Sequence, residues 1–501
     1  MCLRGWLELR QNVGMSTERR ETDAEQALRA FEKKIGEMQG DSIDLKSVEE
    51  EIRRLLEARG AELMGEVLKR ADTAAPEVEI DGKCWGNRRA QRGTYYTVFG
   101  AVEIERSVYQ RAGRGRIAVP LELRLGMVEG RYTPKMARIL TRALAAMTEV
   151  DAAAFLEEVG TAKASSSTLG RVPSALAARY ETRREVIEVA LRERDVIPDN
   201  AVTVQVGMDG VMVPQDGEHA RPRGRKTESP EPPRHERKYG PVSGDGPAGG
   251  DGCTGRAWHE ASVGTLSFFD VDGQRLKTIY LARMPEPHKA TLVHNLEAEL
   301  QVALSDRPAL NIVFASDGAA PQWTALDAMA DRLPETCTGH RMKLVDAFHV
   351  AEYIQMAANA VEGTATSAAA ILAATWRETA KAAVGGPATV LRSMRARRPA
   401  VPTKARVEEL DAAIQYIDTQ NTLGRMQYYE AQQHNFPIGT GVTEAAGKTL
   451  VGVRMKRAGA RFSQHGGQTV LLFRAALLSD RFDALHEELR STYAKDVRLA
   501  A

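Results

Sequence analysis

The chain has 501 residues, of which 43% are hydrophobic and 27% are charged, and its net charge is only +1. These values are ordinary for a globular protein of about three domains, and the net charge by itself gives no sign of a nucleic-acid partner. Four cysteines lie far apart with no C-x-x-C pair, which argues against a zinc ribbon or a disulfide framework. No apolar run is long enough for a membrane span, and the N-terminus lacks a signal-peptide pattern, so we expect a cytoplasmic protein.

Two helices are predicted between residues 18 and 72, where apolar side chains recur at helical spacing. The residues of this stripe are Val48, Ile52, Leu55, Leu56, Leu63, Val67 and Leu68. The stripe fits either packing against the next domain or dimerisation through the same face.

A β-hairpin is predicted over residues 92–110, where YYTVF and VEIERSVY alternate apolar and polar residues around a Gly100-Ala101 turn. Residues predicted to face inward are Val102, Ile104 and Val108. Residues predicted to face water are Glu103, Glu105 and Ser107.

Three short helices are predicted over residues 134–182, with Gly160 ending the second and Ser165–Ser167 offering N-caps for the third. Two short helices joined in this way fit a helix-turn-helix that enters a major groove. Pro173 lies inside the third helix, and a generic three-helix bundle remains the alternative.

The pattern becomes β-rich from Ala201, in the order strand, strand, strand, helix, strand, which is the order of the ribonuclease H-like fold. The first strand is VTVQVGMDGVMV, where Gly207 and Gly210 are expected to leave space around Asp209. The last is the apolar run LNIVFAS, which suits a strand buried on both faces. The proline- and glycine-rich segment 214–256 is predicted to be a disordered excursion. Residues 346–435 are alanine-rich and are predicted to be a helical insertion.

Three acidic residues carry the chemical signal. Asp209 lies in the first strand of this sheet, Asp317 follows LNIVFAS, and Glu444 begins a helical run. Each taken alone has a structural explanation, since D-G is a common turn and an acid is favoured in a first helical turn. Together they are the oxygen ligands that two Mg²⁺ ions need to flank a phosphodiester.

A basic segment and an Asp-His pair accompany these three acids in the sequence. From Gly447 to Arg481 there are seven Lys or Arg residues against one acid, as expected for a surface that positions a polyanion. The predicted DNA-binding residues are Lys448, Arg454, Lys456, Arg457 and Arg461. Asp346 and His349 form a D-x-x-H pair on one helical turn, and their spacing fits a phosphate-contacting histidine or a buried structural one. The spacing does not make His349 a metal ligand, because Mg²⁺ prefers oxygen.

The chain resembles bacterial insertion-sequence transposases of the DDE class, of the ISKra type, with a Mutator-like catalytic core. The resemblance spans roughly residues 90–480, and its most specific motif is PIGTGVTEAAGKTLVGVRMKRAGARFS. The other matching stretches are TVFGAVEIERSVYQ, VGMDGVMVP, VFASDGA and LVDAFHVAEYI.

The resemblance implies that Asp209, Asp317 and Glu444 hold two Mg²⁺ or Mn²⁺ ions, with Asp346 and His349 as the D-x-x-H motif of the site. It implies cleavage of double-stranded DNA at terminal inverted repeats, transfer of the freed 3′-hydroxyl to target DNA, and a homodimer or higher oligomer associated with the bacterial nucleoid. A transposase-derived DNA-binding protein and a ribonuclease H-like nuclease or resolvase are the alternatives.

We therefore expect a multidomain α/β protein whose ribonuclease H-like core is interrupted by the helical insertion and preceded by helical and small β DNA-binding regions. The predicted regions are an N-terminal helical region (1–75), a small β module (76–130), a helix-turn-helix-like region (131–195), the first segment of the core (196–345), the helical insertion (346–435), the second segment of the core (436–485) and a C-terminal tail (486–501).

Overall fold

A computed structural model describes residues 22–40, 43–111, 115–160, 164–216, 256–457, 460–495 and 497–499. The fold is multidomain α/β and divides into two compact units. The first consists of Met1–Met136, Leu156–Lys163 and Tyr493–Ala501, and the second of Ala137–Phe155 and Ala164–Thr492. Most of the predicted excursion, residues 217–255, lies outside the described residues.

The first unit contains two N-terminal helices and a five-stranded antiparallel sheet of order β10-β1-β2-β3-β4. Its elements are α1 (Asp23–Gly36), α2 (Leu45–Ala71), β1 (Val78–Ile80), β2 (Lys83–Thr97), β3 (Gly100–Gln110), β4 (Ile117–Ala118) and α3 (Pro120–Arg124). The two predicted helices are therefore confirmed. The last strand, β10 (Val497–Leu499), pairs with β1 in a segment where the sequence predicted only a tail.

The apolar stripe of α2 is divided between two faces. Leu55 and Leu68 are buried, whereas Leu56, Leu63 and Val67 are 54%, 43% and 51% exposed. The helix packs its buried face against β3, so the expectation of packing on the following β module is confirmed for that face. Dimerisation through the exposed face stays a prediction.

The β-hairpin is confirmed, but its turn lies at Val98-Phe99 and not at Gly100-Ala101. Gly100 has φ +102°, which favours glycine, and it pairs with Thr97 as the first residue of β3. The inward residues Val102, Ile104 and Val108 are buried as predicted.

Ser107 was expected to face water, and this is wrong, since it is only 1% exposed. Its hydroxyl donates to the Thr73 carbonyl at 2.7 Å and accepts from Arg88 Nε at 2.9 Å.

Helices follow in the region predicted to be helix-turn-helix-like. They are α4 (Pro134–Ala146), α5 (Glu149–Glu158), α6 (Ser166–Thr182) and α7 (Arg184–Arg194). Ser165 caps α6 as predicted, because its hydroxyl accepts from the Thr168 amide at 3.3 Å. Pro173 lies within α6 without ending it. The three predicted helices are thus present.

The second unit is built on a mixed five-stranded sheet of order β7-β6-β5-β8-β9. Its strands are β5 (Thr203–Asp216), β6 (Arg256–Phe269), β7 (Arg275–Arg283), β8 (Asn311–Ser316) and β9 (Arg341–Val345). β5, β6 and β7 are antiparallel neighbours, whereas β8 runs parallel to β5 and β9 parallel to β8. The predicted order of three strands, a helix and a strand is confirmed, and β5 continues to Asp216 into the segment predicted to be disordered.

Helices cover both faces of this sheet. Val204, Val206 and Met208 of β5 belong to one buried cluster with α8, α9 and the helices that follow, while Val211 and Val213 belong to another with α17. The helices are α8 (Ala290–Asp306), α9 (Ala320–Asp331), α10 (Ala347–Glu362), α11 (Ser367–Ala382), α12 (Gly386–Arg397), α13 (Lys404–Thr422), α14 (Tyr428–Gln433), α15 (Gly441–Ala446), α16 (Val453–Met455), α17 (Gln464–Leu478) and α18 (Phe482–Ala494). The alanine-rich segment 346–435 is helical as predicted and contains α10 to α14.

Candidate metal-binding carboxylate site

The three acids predicted to act together do lie close enough to interact. Asp209 is in the middle of β5, Asp317 is the first residue after β8, and Glu444 is in α15. β5 and β8 are parallel neighbours, so Asp209 and Asp317 lie toward the same end of the sheet. We call Asp209, Asp317 and Glu444 the carboxylate triad.

Asp209 is held in place by the backbone beside it. Its Oδ1 accepts from the Gly210 amide at 2.7 Å. On its other side, a Cβ placed on Gly447 would lie 3.3 Å from Asp209 Oδ2, so the segment after Glu444 passes directly over this carboxylate. A side chain at this position would press on the carboxylate and, at 3.0 Å, on Val211 Cγ2.

Asp317 is fixed by a turn between β8 and α9. Its Oδ1 accepts from the Ala319 amide at 3.0 Å, and its carbonyl accepts from Trp323 Nε1 at 2.5 Å. The preceding Ser316 hydroxyl donates to the Met208 carbonyl at 2.9 Å, which joins the ends of β8 and β5. Asp209 and Asp317 therefore each follow a residue of a hydrogen-bonded pair that joins β5 to β8.

Glu444 is brought to the sheet by a contact of the residue before it. Thr443 Oγ1 shares a hydrogen bond of 2.7 Å with Thr265 Oγ1 of β6. A Cβ on Gly207 would lie only 2.1 Å from Thr443 Oγ1. Gly207 was expected to leave space around Asp209, but that space is filled by Thr443, and the space beside Gly210 is filled by Glu260.

The triad concentrates negative charge. Burial, as the largest cause, and the charges of Asp317, Glu444 and Glu260 together raise the pKa of Asp209 to about 6, against the opposing hydrogen bond from Gly210. Burial and the neighbouring Asp346 also raise the pKa of Glu444, while Lys448 and His349 act in the opposite direction. The repulsion means that a cation at this place would stabilise the protein.

Asp346 and His349, predicted as a pair, do lie beside Glu444. Asp346 caps α10 and is completely buried, and its Oδ1 accepts from the amides of Phe348 at 3.2 Å and Thr440 at 3.1 Å. Its Oδ2 is buried with no hydrogen-bond partner, and His349 Nδ1 lies 3.6 Å from it. One ligand atom from each of Asp346, His349 and Glu444 lies within 4.8 Å of the others.

Glu260 is a further carboxylate that the sequence did not single out. It lies in β6, is ion-paired with Lys289, and accepts from Gln322 Nε2 at 3.5 Å. Its charge contributes to the raised pKa of Asp209. No motif surrounds Glu260 in the sequence, so the sequence held no signal for it.

Tyr416 connects the helical insertion to the triad and was also missed. Its ring occupies the space beside Gly318, where a Cβ would lie 2.4 Å from Tyr416 Cε2. The ring stacks on Tyr353 with centroids 3.8 Å apart, and its hydroxyl is buried without a hydrogen-bond partner. Burial, Tyr353 and the nearby charges of Asp317 and Asp346 raise the pKa of Tyr416 well above its usual value.

The predicted DNA-binding residues separate into two kinds. Lys448, Lys456 and Arg457 are exposed, with Arg457 paired to Asp151 at 3.3 Å, and Arg461 is half-buried. Arg454 is only 4% exposed and donates to the Leu144 carbonyl. Burial lowers the pKa of Arg454 to about 10, helped by the charges of Arg474 and Arg457. The prediction that Arg454 meets phosphate is corrected, since its guanidinium ties α4 to the segment after Glu444.

The donor set fits the implied ions. Carboxylate oxygens are what Mg²⁺ and Mn²⁺ take as ligands, and Asp346 offers a buried oxygen that no protein donor occupies. No helix among the described residues has the length and apolar character needed to cross a bilayer. Comparison of the chain with protein-family models and with curated proteins finds no match to either.

Proposed function

We propose that the protein is a DNA transposase of the DDE class, with a ribonuclease H-like core and with the carboxylate triad as its two-metal site. The observation that carries this proposal is the convergence of Asp209, Asp317 and Glu444 from two parallel strands and a later helix, at a place where each charge acts on Asp209. The sheet order of three antiparallel strands followed by parallel ones supports the same fold. The motif around Glu444 supports the resemblance to ISKra-type transposases.

The triad would hold Mg²⁺ or Mn²⁺, which supply Lewis-acid activation of a scissile phosphate and of the attacking oxygen. The charges of Asp317 and Glu444 both act on Asp209, so the three acids would hold the ions together. Asp317 would keep its orientation through the Ala319 amide and Trp323. In-line attack by water on the phosphate at the element end would break its P–O3′ bond, which frees a 3′-hydroxyl and leaves a 5′-phosphate. Attack by that hydroxyl on a target phosphodiester would form the new P–O3′ bond and release a 3′-hydroxyl of the target strand.

The surface around the triad would hold the DNA. Exposed Lys448, Lys456 and Arg457 lie within thirteen residues of Glu444 in sequence, on the segment that passes over Asp209. Such cations gain affinity for DNA by releasing counterions from phosphates. The helices of the predicted helix-turn-helix-like region, α4 to α6, would recognise the terminal inverted repeats, and a dimer or larger assembly would pair the two ends.

The test is cleavage of labelled double-stranded DNA that carries the terminal repeats flanking the gene, in Mg²⁺. Wild-type protein should cut at the repeat ends, while Asp317→Asn and Glu444→Gln should lose at least about 100-fold in rate, a loss no smaller than that for one transition-state donor. Asp331→Asn, an exposed aspartate at the end of α9, is the matched control and should cut normally.

The outcomes separate the alternatives. Cutting followed by strand transfer supports the transposase, whereas cutting of branched DNA without end specificity would indicate a resolvase-like nuclease. Binding of the repeats without cutting by wild type would indicate a transposase-derived DNA-binding protein. Equal activity of wild type and Asp317→Asn would reject the triad.

A further inference from the structure

Three side chains beside the triad form a ligand set of a different chemical kind. Asp346, His349 and Glu444 offer two carboxylate oxygens and one imidazole nitrogen, all within 4.8 Å of one another. Asp346 and His349 lie at the start of α10, and Glu444 lies in α15, so residues far apart in sequence meet here. Asp346 is completely buried, while His349 and Glu444 reach the surface.

Asp346 is rigidly oriented but incompletely satisfied. Two backbone amides, those of Phe348 and Thr440, bind its Oδ1 and leave Oδ2 buried with no hydrogen-bond partner. A buried polar atom without a partner costs roughly 1–3 kcal/mol, and more when it is charged. The facing Glu444 carboxyl can share a hydrogen bond with Asp346 only while a proton lies between the two, and this, in addition to burial, raises the pKa of Glu444. A cation bound between the two carboxyls would take the place of that proton.

The distance between Asp346 and His349 suits shared coordination better than a hydrogen bond. His349 Nδ1 lies 3.6 Å from Asp346 Oδ2, beyond the usual limit of about 3.2 Å for an N–H···O bond. Two ligands at roughly 2.0–2.2 Å from one tetrahedral ion are separated by roughly 3.3–3.6 Å. The pair is therefore spaced as two ligands of one ion are.

We propose that Asp346, His349 and Glu444 bind one divalent transition-metal ion of the Mn²⁺ or Zn²⁺ class. Imidazole is a common ligand of such ions, whereas Mg²⁺ prefers oxygen alone. Three protein ligands leave a position open for water or substrate. Glu444 belongs both to this ligand set and to the triad. Metal binding here goes beyond the proposed function and does not depend on DNA cleavage.

The residues around Asp346 fix the orientation of its carboxylate. A Cβ on Gly439 would lie 3.3 Å from Asp346 Oδ1 and 3.1 Å from the Phe348 ring, so the loop before α15 closes tightly around the carboxylate. The Asp346 amide also donates to the Ser316 carbonyl at 2.9 Å. Hydrogen bonds of this kind fix the orientation of a metal ligand and raise metal affinity.

The test uses Mn²⁺ bound to the full chain below one equivalent, with pulsed electron paramagnetic resonance to detect a directly coordinated ¹⁴N. Wild type should show the ¹⁴N coupling, and His349→Ala should lose it. His349→Asp replaces the nitrogen by an oxygen, so it should retain Mn²⁺ binding and still lack the coupling. His294→Ala, which removes an exposed histidine of α8, and Asp209→Asn should both keep it.

Each result decides the matter. Loss of the ¹⁴N coupling in the two His349 variants alone, with unchanged thermal unfolding, supports the centre. Absence of the coupling from Mn²⁺-bound wild type, or its persistence in His349→Ala, would overturn it and leave Mn²⁺ on carboxylates only. A wild-type protein that shows the coupling yet cuts no DNA in Mg²⁺ would reject the proposed transposase while leaving this metal site in place.

Discussion

Two clusters of buried charge in the second unit are built in opposite ways. In the triad and the adjoining Asp346, carboxylates face one another, and the pKa of Asp209 rises to about 6 because of burial and its acidic neighbours. In the second cluster, Arg481 binds Glu299 through two hydrogen bonds of 2.6 and 2.8 Å and Asp195 through another of 2.7 Å. Burial there opposes ionisation, yet the two acids raise the pKa of Arg481 well above its usual value.

The contrast separates a structural use of charge from a functional one. The Arg481 cluster is complete within the protein, so it has no need of an outside ion. The triad is incomplete within the protein, and the missing positive charge is what a ligand or metal would provide. Glu444 of the triad and Arg481 of the second cluster lie at the two ends of the same basic segment. Sequence position alone therefore does not tell the functional cluster from the structural one.

The largest expected effect comes from breaking the complete cluster. Arg481→Met should destabilise the fold by about 3 kcal/mol, because buried Glu299 loses its hydrogen-bonded cation and keeps only Arg192 at 3.9 Å, while Asp195 keeps Lys277. Urea unfolding at pH 7 measures the loss. Arg332→Met removes a bidentate pair with Glu297 from an exposed position and should cost much less, because water screens the pair. Similar losses for both variants would contradict the distinction.

Removing charge from the incomplete cluster should have the opposite sign. The pKa of Asp209 rises from 3.8 to about 6 in the folded protein, so the folded state binds this proton more tightly than the unfolded state does. The stability that protonated Asp209 confers is full below pH 4 and is lost as the pH rises through 6. At about 1.4 kcal/mol for each pH unit, the ionised form costs about 3 kcal/mol at pH 8.

Asp209→Asn should therefore stabilise the metal-free protein at pH 8 by about 2–3 kcal/mol and change little at pH 4. Urea unfolding in a chelator at both pH values measures the difference. Excess Mg²⁺ should raise the stability of wild type at pH 8 and have a smaller effect on the variant. A variant that is less stable than wild type at pH 8 would show that Asp209 is a satisfied structural residue.

The geometry of the triad should be sensitive to a single methyl group at Gly207. Gly207→Ala places a Cβ against Thr443 Oγ1 and Thr265 Oγ1, so α15 and Glu444 must move. Overpacking of this kind costs about 1–3 kcal/mol. Gly441→Ala adds a methyl group at the start of the same helix, with no heavy atom within 4 Å, and serves as the control. Stability to unfolding and Mg²⁺-dependent cleavage should both fall for Gly207→Ala alone.

The sequence predicted the elements better than their contacts. Strand periodicity located β5, and the apolar run located β8, because hydrophobic spacing reports which faces are buried. The turn of the first hairpin was predicted at Gly100-Ala101 because glycine favours turns. The strand register pairs Gly100 with Thr97 and so places the turn two residues earlier. Ser107 was misread because its burial comes from Thr73, which precedes it by many residues.

The same limit applies to the site. Asp209, Asp317 and Glu444 were identified because strand ends and a helix start are local features of the sequence. Glu260 and Tyr416 were not, because their proximity to the triad depends on the pairing of β6 and on the packing of the helical insertion. The role of Arg454 was misjudged for a related reason: a basic run shows charge but not which side chains turn inward.

The smallest expected effect concerns the exposed cations beside the triad. Lys448→Ala combined with Lys456→Ala should weaken binding to all DNA sequences alike and reduce the salt slope of log K by about 1.8, because each lost phosphate contact contributes about 0.9. Both lysines are exposed, so the fold should not change. Fluorescence anisotropy over a range of salt concentrations measures the slope, and Lys404→Ala, an exposed lysine of α13, is the control.

Buried Arg454 makes the sharper comparison, since Arg454→Met should lower stability and leave the slope unchanged. If Arg454→Met altered the slope and the lysine variant did not, the assignment of these cations would have to be reversed.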